Sequence, residues 1–515
     1  MSSINDQVEL EPAHFPRKEK SGFILGLNVG PGIAVLVTVG LAVVCAIKIP
    51  FPFGPLLGLC LLPLAGFLGW ARFKGLHLFD WLKLGWSHLV RRVTQQSDYL
   101  APSPHADAKA EAKADARAEQ ADAKAAAEAE QWDEPVPPKT QKPIKLQLPG
   151  AANELRLYTG PSGRAIVHNP LRRRVTVTAV LDNDNFTLKD DPAKAEVLDN
   201  WASILDVVGG HYEVEAVIPS DVTTVVSGVQ MSQFYEDAAE HHGAGANLNP
   251  VAHAGYMDLL RSSPMTKHPQ YLTINISIPR MKTEIKANGS GVAGLLASVE
   301  QKIRALEDDL NANSFKVDHW VGVEERRRLC NEAFTGITDE SDGVGTSPVG
   351  IRAYWDKLRV DDIYHRSFIV QEWPLKPAPQ GFLEKLVFAG QFRHAVTLVH
   401  RRGDDEKALR DASNAVKDAE DAEDLSARTG RRISREMTRE KEDLVRREEE
   451  LVAGSSDVRF QGFISVTGRT PDELEQNTRD MYSAAARGNM RIRPCFGQQF
   501  QGFLAATGQL GFGAD

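Results

Sequence analysis

Cysteine is scarce in this sequence, with four in 515 residues. Cys45, Cys60, Cys330 and Cys495 form no C-x-x-C pair. That spacing supports neither a disulfide framework nor a zinc site, and a reducing compartment is the simpler reading. An excess of positive charge is missing too: 60 Lys and Arg face 69 Asp and Glu, for a formal net charge of −9. No global basic field draws the chain to nucleic acid, and no direct nucleic-acid binding is expected.

The signatures of phosphate and metal chemistry are also lacking. A P-loop needs backbone N–H groups to cradle phosphates, a lysine to neutralise them and a hydroxyl for magnesium. The nearest string, GTSPVGIR from Gly345 to Arg352, lacks the lysine and the hydroxyl. Gly289-x-Gly291-x-x-Gly294 matches a dinucleotide fingerprint in letters. The preceding TEIKAN is polar, however, so a glycine loop leading into a helix is the better reading. H-E-x-x-H and G-x-S-x-G are absent, and His241, His242 and His253 fit no metal spacing. No catalytic residue, cofactor or metal ligand is assigned, and the chain is not expected to be an enzyme.

Two long apolar runs lie between Val29 and Arg72, broken at Pro50, Phe51 and Pro52, with Lys48 the only charge before Arg72. Each matches the roughly 20 residues of helix that cross a bilayer. The runs predict a two-helix membrane hairpin, because lipid demands that backbone groups be satisfied within the segment. Arg17, Lys18 and Lys20 precede it, and Arg72, Lys74, Lys83, Arg91 and Arg92 follow. This bias predicts a multi-pass protein of the cell membrane with both termini and the main body cytoplasmic. Residues 77–92 predict an amphipathic helix in which Leu78, Trp81, Leu82, Leu89 and Val90 share a face, with Trp86 near its edge. An interfacial helix and a helix packed on the body both fit that pattern. On the first reading Trp70, Arg72, Lys74, Trp81, Trp86, Arg91 and Arg92 are the membrane-interface anchors.

The chain divides into a cytoplasmic N-terminal segment (1–28), the hairpin (29–72), the amphipathic helix (73–100) and an Ala/charged low-complexity linker (101–143). An α+β domain (144–400), a charged helical hairpin (401–455) and a C-terminal strand–helix segment (456–515) follow. Strands are predicted at 164–170, 175–181, 211–219, 270–279, 363–373, 394–400 and 459–468, and helices at 192–207, 290–310, 320–334 and 470–488. Several strands read as half-exposed, which favours α+β over a doubly wound sheet. Arg172, Arg173 and Arg174 read as an exposed turn. In the 403–453 pair, Leu409, Val416, Met437, Leu444 and Leu451 carry the apolar spacing and are the candidate partner interface. The glycine-rich end, GQLGFGAD, is expected to fray.

Several of these stretches carry a resemblance. EKSGFILGLN ahead of the first apolar run resembles the entry of PrgI-type two-helix membrane subunits. The Leu148-Pro149-Gly150 start, the β-rich 164–188 stretch, the Trp201 helix and Glu372-Trp373-Pro374 resemble an actinobacterial family of conjugation-associated integral membrane proteins. The later order of strand, charged hairpin and EEELVAGSSDVRFQGFISVTGRTPDELE resembles it as well. That last region is also similar to the N-terminal, non-motor half of type IV secretion ATPases, through Glu450-Leu451-Val452-Ala453-Gly454 and Asp472-Glu473-Leu474. In those ATPases a P-loop motor domain follows, and this sequence has none. The resemblance implies a non-catalytic inner-membrane component of a type IV secretion or conjugation-like system. Its implied partners are the lipid bilayer, a separate P-loop ATPase, other channel subunits and copies of itself. Two alternatives stay open: a membrane-tethered scaffold or envelope regulator unrelated to transport, and a cryptic nucleotide-dependent motor.

Overall fold

The computed structural model describes residues 29–48, 72–73, 76–94, 97–100, 143–146, 154–182, 189–226, 249–262, 265–313, 315–336, 348–374, 381–403, 405–428, 435–452 and 458–513, with scattered positions between these. The low-complexity linker expected at 105–131 lies outside them.

In chain order the elements begin with α1 (Val29–Lys48), β1 (Arg72–Phe73), β2 (Leu76–His77), α2 (Leu78–Val93), β3 (Asp98–Leu100) and β4 (Ile144–Lys145). Next come β5 (Arg156–Thr159), β6 (Ala165–Asn169), β7 (Arg174–Leu181), α3 (Asp191–Gly210), β8 (Val214–Val226), α4 (Pro250–Ser262) and β9 (Met265–Lys267). They are followed by β10 (Gln270–Ser277), α5 (Lys282–Ala287), α6 (Gly291–Ala312), β11 (Val317–Trp320), α7 (Val323–Thr335), β12 (Gly350–Ala353) and β13 (Leu358–Val360). Last are β14 (Ile363–Glu372), α8 (Glu384–Val387), β15 (His394–Arg402), α9 (Asp405–Arg428), α10 (Arg435–Val452), β16 (Val458–Gly468), α11 (Pro471–Arg487), β17 (Arg491–Pro494) and α12 (Gln499–Ala506).

The α+β expectation holds, and its centre is one large antiparallel sheet. The expected pair of membrane spans is not shown: among the described residues no helix is long and apolar enough to cross a membrane.

The sheet is built from one pattern used twice. In the first repeat, β7, α3, β8, β10, α6 and β11 follow one another, and the strands lie in the order β11-β7-β10-β8. In the second, β14, α8, β15, β16, α11 and β17 give the order β17-β14-β16-β15. Each is a β-α-β-β-α-β unit of the split βαβ kind. The second strands of the two units, β8 and β15, pair antiparallel, with His394 opposite Thr223 and Thr397 opposite Ser220. Antiparallel pairing of equivalent strands is what a local two-fold axis produces, here within a single chain. Both units carry their long insertion between the second and third strands: 227–269 in the first, 403–457 in the second. Each also ends in a helix that follows the fourth strand, α7 and α12 respectively.

Side-chain alternation explains the packing. Val175, Val177 and Ala179 of β7 and Leu272, Ile274 and Ile276 of β10 form one core cluster with Ile204 and Val208 of α3 and Val299, Ile303 and Leu306 of α6. The α3 start is fixed by Asp190, whose carboxylate accepts from Ala193 N–H at 3.1 Å. In the second repeat, Phe368, Ile464 and Val466 pack under Leu474 and Met481 of α11. Thr470 caps that helix by accepting from Glu473 N–H at 3.2 Å, and Glu473 accepts in return from Arg469 N–H at 3.0 Å.

The opposite face of the sheet corrects two expectations. Several strands read as half-exposed, yet Thr176, Thr178, Thr273 and Asn275, which alternate with the core residues, are all buried. They pair with one another, Thr178 with Thr273 and Thr176 with Asn275, each at 2.8 Å. The C-terminal segment covers them and is not frayed: Gln509, Leu510 and Phe512 are buried. Asn275 and Arg174 donate to Gly511 O at 2.9 and 2.7 Å, and Arg326 donates to Gln509 O at 2.8 Å. Gly508 and Gly511 have φ of +67° and +70°. A Cβ at Gly511 would collide with Asn275 and Thr176, so the glycines that suggested fraying are what allow close seating. Arg174 thereby leaves the expected exposed turn: it is 2% exposed, and burial, reinforced by the charge of Arg172, pulls its guanidinium down to about 10.

Candidate functional site

The glycine fingerprint sits between two helices. Gly289, Ser290 and Gly291 take φ of +102°, +61° and +60° in the turn from α5 to α6. A Cβ at Gly294 would lie 2.5 Å from Ile285 O. These glycines let two helices meet, and no strand leads into them as a dinucleotide site requires. The end of GTSPVGIR is strand β12, paired between β3 and β13, where a P-loop would begin a helix. His241 and His242 lie outside the described residues. His253 is on α4, with its ring 5.6 Å from Tyr235. Among the described residues no group of three or more His, Cys, Asp or Glu could hold a metal ion. Burial pushes the Cys330 thiol up to about 11 and the Cys495 thiol up to about 12, so neither is a ready thiolate.

Two features remain with the geometry of contact surfaces. The first is the α1–α2 region. In α1, Leu36, Val37, Leu41, Val43, Val44 and Ile47 are each more than half exposed, whereas Ala42 is buried. Residues 58–61 are helical, and a Cβ at Gly58 would lie 2.9 Å from Ala42 O and 3.2 Å from Ala46 Cβ. Small residues there let two helices approach closely.

Of the expected membrane anchors, Trp70 and Lys74 lie outside the described residues, and Arg72 pairs in strand register with His77. The structure divides the rest of the α2 set. Trp81 does not share a face with Leu82 and Leu89; it packs on the body, 6.0 Å from Trp355 and 5.2 Å from Phe496 between ring centroids. His88 stands edge-on to Trp355 at 5.2 Å, and burial together with the Arg91 and Arg92 charges holds its imidazole below the ordinary value. Trp86 is 70% exposed. Arg91 is half-buried and bonds back to Ser87, while Arg92 is exposed. The residues missed in the sequence are Trp355 and Phe496. Both follow short strands in turns, where local periodicity carries no signal.

The second feature is the α9–α10 hairpin. Its arms pack on each other and are tied by Lys441 to Glu423 at 2.8 Å and by Ser413 to Glu448. Val416 is buried, and Leu409, Met437, Leu444 and Leu451 are half-buried. A partner would meet the charged flanks, where Glu406, Arg410, Asp411, Lys417 and Asp418 of α9 are exposed.

The fold defines a tandem of two split βαβ units in one sheet, bearing an apolar helical appendage at one end and a charged helical arm within the second unit. No protein-family model matches the chain, and no curated protein matches it.

Proposed function

We propose that the chain is a non-catalytic, membrane-anchored component of a type IV secretion or conjugation-like system that docks a separate ATPase. One observation supports it most: α1 turns six large apolar side chains outward while burying Ala42 against the Gly58 approach. That is how a helix pair is arranged when lipid covers the outside and small residues make the seam. Under this reading residues 29–72 form a hairpin in the cell membrane with both termini cytoplasmic. The α9–α10 arm is the part of the body available to the ATPase. The gain is placement: a motor held beside a pore acts at a raised effective concentration without chemistry in the holder.

The test is affinity recovery of the full chain from membranes of its native host after crosslinking. A P-loop ATPase and further channel subunits should come with it, and charge reversal at Glu406, Asp411 and Asp418 should cut ATPase recovery several-fold. Recovery of the chain alone, or ATPase recovery unchanged by the reversals, overturns the docking reading.

A further inference from the structure

Helix α2 is attached to the body at both ends. Near its start, Trp81 enters the Trp355–Phe496 cluster, and Gly497, with φ of +66°, lies against Trp355 and His88. Just after its end, β3 joins the large sheet through β12, with Ala353 N–H donating to Ser97 O at 2.9 Å and Arg352 bonding Asp98 at 2.8 Å. The helix is thus held at two points, and its rotation about its own axis is set by them.

That rotation leaves a stripe uncovered. Leu82, Trp86, Leu89, Val90 and Val93 are 59, 70, 52, 43 and 74% exposed. At 100° per residue they fall within an arc of about 100°. Lys83 and Arg92, both exposed, border that arc on its two sides, and the single acid, Asp80, is half-buried at the start of the helix. A soluble helix does not place its bulkiest side chain at the centre of its open face. A tryptophan among aliphatics, flanked on both sides by long basic side chains, is the composition of a helix lying in the headgroup layer of an anionic leaflet. Helix α1 packs against α2 and also shows apolar side chains outward.

We infer that α2 is a two-sided helix: its Trp81–His88 side is bolted to the body at Trp355 and Phe496, and its Leu82–Trp86–Leu89–Val93 side sits in an anionic membrane surface. This deepens the anchoring reading proposed above and rests on it. The hairpin keeps the chain at the membrane, whereas α2 fixes the attitude of the body, and with it the direction of the α9–α10 arm.

The experiment reconstitutes the full chain in vesicles of phosphatidylcholine with about one third phosphatidylglycerol, with and without bromine on the upper acyl chain. The Trp86 signal is the emission lost in W86F, and retention after alkaline carbonate is scored in the same samples. Retention together with quenching of at least half of the Trp86 signal is expected. Quenching should fall several-fold in L89D/V93D and in K83E/R92E, while the near-ultraviolet dichroism of the Trp81 cluster stays unchanged. Retention with Trp86 unquenched overturns the inference and leaves the hairpin reading standing. Quenching without carbonate retention supports the α2 contact and overturns the hairpin. Loss of both overturns both.

Discussion

The two repeats share a topology and differ in what covers it. The first has long helices, α3 and α6, of 20 and 22 residues on one face. Its other face is a polar layer covered by residues 508–513. In the second, the first connecting helix, α8, has shrunk to four residues, and the insertion after β15 has grown into the α9–α10 arm. Equivalent strands thus serve different ends. Both repeats are covered on both faces, the first beneath by residues 508–513 and the second by α12, whose Phe503 ring lies 4.7 Å from His365, while only the second carries the long charged arm.

The comparison breaks most severely if the terminal seal is removed. Truncation after Ala506 deletes Leu510 and Phe512 from the core and strips acceptors from Arg174, Asn275 and Arg326. Lost burial and orphaned buried donors together exceed about 5 kcal/mol. Hydrogen exchange should show β7 and β10 losing protection before β14 and β16. Equal loss in both repeats would show that they do not differ in their dependence on the terminus.

A smaller effect tests the join between repeats. His365, on β14, is fully buried; its Nε2–H donates to Phe334 O of α7 at 2.9 Å, and its Nδ1 accepts from Thr467 at 3.0 Å. Burial, against that carbonyl, lowers its imidazole to about 4. Because the folded value is below the unfolded value of about 6.5, the unfolded chain binds more protons between them. Stability is therefore full above about pH 6.5 and falls on acidification toward 4, by on the order of 3 kcal/mol. His365→Gln should reduce the fall of the melting temperature over this range, leaving the slope due to His400, which burial also lowers to about 4, and to His394, His168 and His88, which burial lowers as well. An unchanged slope would refute a neutral His365 at the join.

The smallest effect lies within the second repeat. Arg366 holds Glu475 of α11 at 2.6 Å, and Glu475 is half exposed. Glu475→Gln should cost about 1 kcal/mol at neutral pH. The Arg366 hydrogen bond holds the Glu475 carboxyl below the usual range. Its contribution is present above the unfolded value of about 4.3 and is lost as pH falls through the lower folded value, so variant and parent should converge in acid. Denaturant melts at neutral and acid pH measure both limits.

Much of the body could be read from residue order. The β-branched runs at 175–181, 270–279, 394–400 and 459–468 mark central strands within a few residues, and Thr470, Pro471 and Glu473 mark a helix start that the structure retains. Arg156–Thr159 and Val317–Trp320 were not legible as strands, because short strands carry too few periods to register. The pairing of β8 with β15 joins residues some 180 positions apart and leaves no local trace. The polar underside was misread for a physical reason: alternating Thr and Asn look the same whether water or a glycine-rich segment satisfies them. In the candidate contact surfaces, the composition of α2 was visible, but its division between body and open face depended on Trp355 and Phe496, which lie far along the chain.

The seal under the first repeat also sets an order of events during synthesis. Its acceptors lie at Gln509 and Gly511, whereas β7 and β10 are complete more than 200 residues earlier in the chain. For that interval the underside must remain open without drawing other chains to it. Threonine and asparagine there, where another protein would place valine and leucine, keep a waiting surface wet until residues 508–513 arrive.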